Sequence, residues 1–519
     1  MSTETPFPRS AGILLHPTSL PGPFGCGDLG ESAHRFVDWL GEAGMSLWQV
    51  LPLVPPGAGD SPYSTQSALS GNPWLVDPVG LRDDGLLEDW ELRPPSFSLD
   101  ALDSEAMWRV KEPLLLQAAD RLLGRRRPDL LARFEEFRHA EPWVEEASLF
   151  AVLRRAERKP WWQWPAALRD REPTPLRRTH ARQQRDIERQ IALQFFFERQ
   201  WRRLHEHCRA RGVRLLGDVP IYVDQDSVDV WANREQFLVD ADGLADPVAG
   251  VPPDYFSEIG QLWGNPIYDW PRMKADGFRW WIARLRRALA QVDLVRLDHF
   301  RGFSAYWVVP GGSEDARPGK WVEGPGKALF DALAAALGDL PVVAEDLGDI
   351  DYAVHQLRDA VGLPGMKVLQ FAFGAGAANS FLPHNYEPHS VVYTGTHDND
   401  TTLGWWRSTD DAVRDHVRRY LAVSGQDIVW DLLRAAFASV AHTAIVPLQA
   451  ALGLGSDARM NRPGLGRHNW GWRVRAEALN PWVSSRLHGL CELYRRLPEQ
   501  GAPKGQAHDD QAPPPTLRA

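Results

Sequence analysis

Three carboxylates stand where apolar runs of this sequence stop: Asp298 closes VDLVRLDHF, Glu345 follows PVVA, and Asp398 lies just past SVVYTGTH. Side chains alternate along a strand, so Arg296 and Asp298 project to the same side. A guanidinium that close favours the ionised carboxylate a nucleophile requires. Glu345 leaves its strand through Val342, Val343 and Ala344, and partial desolvation raises a carboxyl pKa and suits it to acid and base duty. Two carboxyls in unlike environments are the arrangement used to cleave glycosidic bonds. His299 and His397 adjoin two of the three and are placed to donate to a sugar hydroxyl. Asp346, Asp349 and Asp400 read as caps or turn residues, with Asp346 also placed to position Glu345.

Such carboxylates act together only if their strands converge. Eight short aliphatic runs recur: Gly12 to Leu15, Leu47 to Leu53, Val213 to Leu216, Val292 to Leu297, Val342 to Ala344, Met366 to Phe371, Ser390 to Tyr393 and Ala444 to Val446. Most are separated by helix-like stretches. A chain of 519 residues would ordinarily divide into three or four domains, but this pattern predicts a single α/β unit over residues 10–497. The expected fold is a (β/α)8 TIM barrel with large, mainly helical insertions between barrel strands, its chemistry at the C-terminal strand ends.

The second and third runs are too far apart for an ordinary crossover, which places a helical insertion over residues 80–205. Its latter part carries Leu193, Phe197, Trp201, Leu204 and Cys208 at helical spacing, a stripe that packs onto the barrel. Ser104 to Leu123 is similar, and the charged, Pro-interrupted stretch from Arg154 to Arg189 reads as solvated surface. Residues 498–519 lack periodicity and are expected to be a disordered tail.

Tryptophan is unusually frequent, 23 against 10 tyrosines, and so much flat aromatic surface serves either a core or a stacking platform. Residues 250–270, GVPPDYFSEIGQLWGNPIYDW, are too rich in Gly and Pro for a helix and too aromatic for a solvated linker. They read as an active-site lid loop. Tyr255, Phe256 and Trp263 are candidates to stack on sugar rings, or else to pack the loop down. Asp254, Glu258, Gln261 and Asn265 are candidates for hydroxyl contacts. Tyr63, in GDSPYSTQSALSGNP, and the Trp405–Trp406 pair are further candidates at the cleft.

The formal net charge of −10 argues against duplex nucleic acid as a partner. Cys26, Cys208 and Cys491 offer neither a disulfide framework nor a metal motif, and a reducing cytoplasm is the simple reading. The N-terminal segment lacks the basic and apolar regions of a signal peptide. The least polar stretch, Ala435 to Leu448, is too short and too polar for a membrane span. DQDSVD at 224–229 lacks the Gly and distal Glu of a calcium loop, so no metal is expected. The sequence leaves oligomeric state open.

The motifs LPLVPPGAGDSPY, GDVPIYVDQDSVDVW, GVPPDYFSEIGQLWGNPIYDW, VRLDHFRGF, VVAEDLG, FLPHNYEPHSVVYTGTHDNDTTLGWW and GLGSDARMNRPG resemble the amylomaltases. These are the 4-α-glucanotransferases, or disproportionating enzymes, of the α-amylase clan, and the likeness runs from about residue 11 to about residue 497. The resemblance implies transfer of segments of α-1,4-glucans and maltooligosaccharides to the 4-hydroxyl of an acceptor by a retaining double displacement, with intramolecular cyclisation as a further outcome and no cofactor. It implies Asp298 as nucleophile, Glu345 as general acid and base, and Asp398 as the third carboxylate. Arg296 and His397 match residues beside these, and Asp218 matches a structural or substrate-proximal Asp. Tyr63, Trp263 and Asn461 match positions lining the subsites, and His299 and Gln261 complete the substrate-binding set. Ala58, Gln66, Leu69 and Ile259 depart from the family pattern, with consequences expected for auxiliary glucan holding and lid closure. The rivals are an α-amylase-type hydrolase with the same carboxylates and a catalytically silent starch-binding protein.

Overall fold

A computed structural model describes residues 8–253, 257–465 and 469–498. In chain order the strands are β1 Ser10–Leu14, β2 Leu47–Gln49, β3 Arg214–Val219, β4 Val248–Val251, β5 Gln261–Pro266, β6 Leu294–Leu297, β7 Ala305–Val309, β8 Lys320–Glu323, β9 Val342–Ala344, β10 Gly365–Val368, β11 Ser390–Tyr393 and β12 Thr443–Pro447. Eight of them form a parallel sheet in the order β10-β11-β12-β1-β2-β3-β6-β9. Each of the eight expected runs supplies one of these strands.

The two ends of the sheet meet at a seam. Ala344 N donates to Pro364 O at 2.9 Å, and Met366 N donates to the Asp346 carboxylate at 2.7 Å. Asp346 also accepts from Arg358 at 2.6 Å. Its carboxylate therefore replaces the ladder that β9 and β10 do not form, a structural role. Asp349, read as a cap, is displaced from that duty by Asp351, whose side chain accepts from Val354 N at the start of the helix Tyr352–Ala360.

Alternation along the strands then builds the barrel interior in layers. Leu14, Leu47, Leu216, Leu294, Val343, Met366, Val391 and Ile445 share one buried cluster. Two residues on, at the C-terminal ends, the same inward positions become Gln49, Asp218, Arg296, Glu345 and Tyr393. An apolar floor thus carries a polar ceiling, because hydrophobic burial holds the strands and the next inward position faces the open mouth.

Between β2 and β3 the longest helices are Ser104–Leu123, Trp143–Glu157 and Gln184–Ala210. Leu193, Phe197, Trp201, Leu204 and Cys208 are all buried as their spacing predicts. The Arg154 to Arg189 stretch departs from its reading as solvated surface. Trp161 and Trp164 within it are buried, with Trp161 donating to Gln225 O at 2.6 Å and Arg154 pairing with Asp226 at 2.5 Å. The two indoles outweigh the surrounding charge because each removes a large apolar area from water. The acidic stretch at 224–229 is thereby used as an anchor, with Asp229 also accepting from Ala68 N at 2.8 Å.

Lys111, fully buried, ties the helix Ser104–Leu123 to the connections that follow β1 and β2, lying 3.5 Å from Asp28 in the first and donating to Trp74 O in the second at 2.6 Å. Burial raises the Asp28 carboxyl to about 7, with Lys111 opposing. Replacing Lys111 by Ala leaves Asp28 without its cation, and the expected loss is about 3–5 kcal/mol of unfolding free energy in a denaturant titration. A Lys111→Ala protein with an unchanged midpoint would refute this.

The segment 250–270, expected to be a loop, contributes to two strands. β4 and β5 pair antiparallel with an irregularity between Val248 and Gly250, and they join a four-stranded sheet ordered β5-β4-β7-β8. The glycines that hid the strand pattern have left-handed φ: Gly260 in the hairpin turn at +67°, and Gly264 at +76° within β5, where its pairing with β4 shifts register, values that glycine adopts freely. Asp254, Tyr255 and Phe256 lie outside the described residues, as do 499–519, nearly all of the segment expected to be disordered. No helix among the described residues is long and apolar enough to cross a membrane. Ten of the 23 tryptophans, Trp48 and Trp281 among them, are buried, so much of the excess is core.

Candidate active site

The site grows from strand register. Asp218 on β3 lies directly opposite Arg296 on β6, and Arg296 opposite Val343 on β9. Leu297 pairs with Ala344, so Asp298 and Glu345, the next residues along, emerge side by side at the rim. Arg296 is buried and forked between two carboxylates, 2.7 Å from Asp218 and 2.8 Å from Asp298. Burial alone would push its guanidinium pKa down; the charges of Asp218 and Asp298 instead hold it well above the usual value. A doubly anchored guanidinium fixes the position of Asp298, whose side chain is 27% exposed towards the cleft.

Glu345 differs in kind. It is buried, and burial pushes its carboxyl up to about 8, Arg296 opposing the rise and Asp298 adding to it. Its two oxygens accept from His299 N at 2.8 Å and Leu347 N at 2.9 Å. The first contact exists because His299 adopts a left-handed φ of +51°, sparsely populated for a side chain of this size and a mark of functional sites. Each oxygen thus accepts one backbone N–H. Burial lowers the His299 imidazole to about 4 and also lowers that of His397, so both rings are neutral near pH 7.

Asp398 is set from the far side of the mouth. Its carboxylate accepts from Asn461 Nδ2 at 2.6 Å and lies 3.4 Å from His397 Nε2, while its side chain stays 43% exposed. Arg459 donates to the backbone carbonyls of Asp398 at 2.6 Å and Asn461 at 2.7 Å. Replacing Asn461 by Ala removes a hydrogen bond to a charged group, and a fall in kcat of about 10- to 100-fold is expected at unchanged thermal stability. A kcat within twofold of the parent would sink the assignment.

All eleven residues selected from sequence join one network. Tyr63 stacks on His397, ring centres 5.2 Å apart, and donates its hydroxyl to Asp218 at 2.8 Å, which links the Asp398 side to the Arg296–Asp298 side. Burial raises Asp218 to about 7, with Arg296 opposing. On β5, Trp263 meets His299 edge to face at 4.8 Å and donates to Gln261 at 3.2 Å.

Several expectations are corrected. Asn265 donates to Val223 O at 2.9 Å and pins the hairpin rather than offering its amide to the cleft. On the helix Thr402–Ser408, Trp405 packs on Phe373 and Trp406 lies under Arg414 and Arg418. Asp400 accepts from Ser456 at 2.7 Å, a structural duty as read. Sequence reasoning missed Trp470 and Arg459. Trp470 packs against both Tyr63 and His397 from a stretch without strand or helix pattern, and nothing in the local sequence announces it.

Known proteins resemble this chain over most of its length. Residues 15–479 match the 4-alpha-glucanotransferase family. A chloroplastic/amyloplastic 4-alpha-glucanotransferase of Arabidopsis thaliana is 47% identical over 497 residues, covering 94% of this chain and 86% of that protein. The 4-alpha-glucanotransferase of Thermus thermophilus is 46% identical over 500 residues, covering 94% and 99%. Amylomaltase from Streptococcus agalactiae, solved in complex with acarbose, superposes with a TM-score of 0.91 at 35% identity, covering 94% of this chain and 99% of that one. With the barrel, the paired carboxylates and these likenesses together, the chain belongs to the 4-alpha-glucanotransferase family.

Proposed function

We propose that this enzyme, a 4-α-glucanotransferase acting on α-1,4-glucans, works through the three rim carboxylates. Asp298, ionised beside Arg296, attacks the anomeric carbon while Glu345 protonates the departing glycosidic oxygen, leaving a β-glucosyl ester on Asp298. The 4-hydroxyl of an incoming glucan then gives its proton to Glu345 and attacks the same carbon, displacing Asp298 and restoring an α-1,4 bond. Asp398, held by Asn461 and flanked by neutral His397, accepts hydrogen bonds from ring hydroxyls and stabilises the positive charge that develops on the sugar. The observation that carries this reading is the contrast at one rim between an arginine-paired carboxylate and a buried one raised to about 8.

Maltotriose tests it. Transfer gives a ladder of longer oligomers plus glucose at a constant count of reducing ends; a rising count would identify a hydrolase instead. Transfer also requires a dry second step, and we assign that exclusion to the lid over residues 250–270, with Trp263 as its inner aromatic. Trp263→Ala should therefore raise KM for acceptor and increase the share of hydrolysis about 10-fold, an effect on the order of one lost aromatic contact. An unchanged ratio of transfer to hydrolysis would remove Trp263 from that role. The three cysteines are buried and free, which supports a reducing compartment, the cytoplasm, for this chain. We take residues 10–497 as one catalytic unit with residues 80–205 as its inserted subdomain.

A further inference from the structure

The run NWGWRV, residues 469–474, sets two tryptophans around a glycine with no helical or strand period. Trp470 has a left-handed φ of +61°, a conformation that bulky side chains rarely adopt and that persists only where the surroundings over-determine it. Hydrogen bonds on both sides supply that constraint. Trp470 N donates to Met460 O at 2.7 Å and so joins the two ends of the connection between them. Beyond it, Leu102 N donates to Gly471 O at 2.7 Å, Arg473 N to Asp100 O at 3.0 Å and Val474 N to Ser19 O at 2.8 Å. The buried Arg473 guanidinium adds bonds to Ser98 O at 2.7 Å and Gly22 O at 3.0 Å. The stretch 98–102 leads into the insertion helix Ser104–Leu123, so the insertion fastens the backbone on which Trp470 stands.

The indole is buried and meets the site at two rings. Its centre lies 5.7 Å from Tyr63 and 5.9 Å from His397, tilted by 38° and 37°, while those two rings stack on each other within 10° of parallel. Three flat groups in mutual contact leave the imidazole little room to turn. Asp398 is what such a turn would disturb. His397 Nε2 lies 3.4 Å from its carboxylate. Asn461 donates its backbone N–H to His397 O at 3.1 Å and its amide to Asp398 at 2.6 Å. The adjacent residues Met460 and Asn461 therefore carry both fastenings, one to Trp470 and one to Asp398.

We propose that Trp470 is a positioning residue for the transfer reaction. Its indole fixes the His397 ring and, through Met460 and Asn461, the Asp398 carboxylate, and the insertion holds the indole in place. The proposal rests on the role given to Asp398 above. A carboxylate that stabilises developing charge acts through its placement, so loosening it slows the chemical step more than it weakens substrate binding.

The test measures maltotriose transfer and thermal unfolding of the full chain side by side. Trp470→Ala should lower kcat about 20-fold with KM within about threefold, and Trp470→Phe, which keeps a flat ring in place, should return kcat to within about fourfold of the parent. Trp470→Gly separates ring from backbone. Glycine accepts the left-handed turn without strain, so this variant should melt at or above Trp470→Ala and yet be as slow. Combined with Asn461→Ala, Trp470→Ala should cost less than the product of the two separate losses, because both act on one carboxylate. Trp470→Gly with the parent's kcat would overturn the proposal, and so would fully multiplicative losses or a kcat that merely tracks melting temperature across the three variants. Should Trp470→Ala fail to fold, the Phe and Gly variants decide by the same criteria. Asp398→Asn keeps the two readings apart: full activity there would end the role of Asp398, whereas a loss there beside an unaffected Trp470→Ala would end this proposal alone.

Discussion

Asp298→Asn is expected to lower kcat for maltotriose transfer by about 10⁴-fold or more while the protein stays folded. An amide cannot form the covalent ester, and removal of a nucleophile commonly costs this much or more. The fold should survive because Arg296 keeps Asp218 at 2.7 Å, so no buried charge is orphaned. The measurement pairs initial rates of glucose release with thermal unfolding of both proteins. Activity within tenfold of the parent would end the nucleophile assignment. A large fall in melting temperature would show instead that Asp298 is needed to hold the rim together.

Glu345→Gln should cost about 10²- to 10⁴-fold in transfer, the range of a lost general acid and base. Its second signature is pH. With the Glu345 carboxyl raised to about 8, the parent enters the first step protonated, and its kcat/KM should fall as pH rises through about 8, where the acid is lost. Stability moves in the same direction. The unfolded carboxyl, ordinarily at 4.5, has given up its proton well before the folded one does. Stability is therefore fully present below about 4.5 and declines as pH rises towards 8. A Gln has no proton to lose, so Glu345→Gln should gain melting temperature relative to the parent between pH 5 and pH 9. Parallel melting curves across that range would mean that burial does not raise this carboxyl.

The residues assigned to chemistry were legible because strand alternation and residue types are local. Arg296 and Asp298 share a face by spacing alone, and Val342 to Ala344 announce that Glu345 emerges from an apolar strand. The helical stripe from Leu193 to Cys208 was legible for the same reason: one period of 3.6 residues sets one buried face. The lid was half legible. Its aromatics marked a functional segment, while Gly250, Gly260 and Gly264 concealed two strands, because a hairpin's pairing partner supplies the order that its own sequence does not declare.

Local pattern along the chain supplies the inventory: eight barrel strands, an inserted helical stretch, and three carboxylates at strand ends. Tertiary structure alone decided which charges meet. Asp218 reaches Arg296 because β3 and β6 are neighbours in register although 78 residues separate their paired positions. Trp470 closes on Tyr63 and His397 from a loop with no periodicity, and Asp346 closes the barrel seam against Met366, 20 residues away. Burial is likewise a property of the assembled barrel, and it separates Glu345 from Asp298 by desolvating one carboxyl while a forked guanidinium holds the other. Local pattern fixes which way a side chain points from its own strand; only packing fixes what it then touches, and that contact sets its charge.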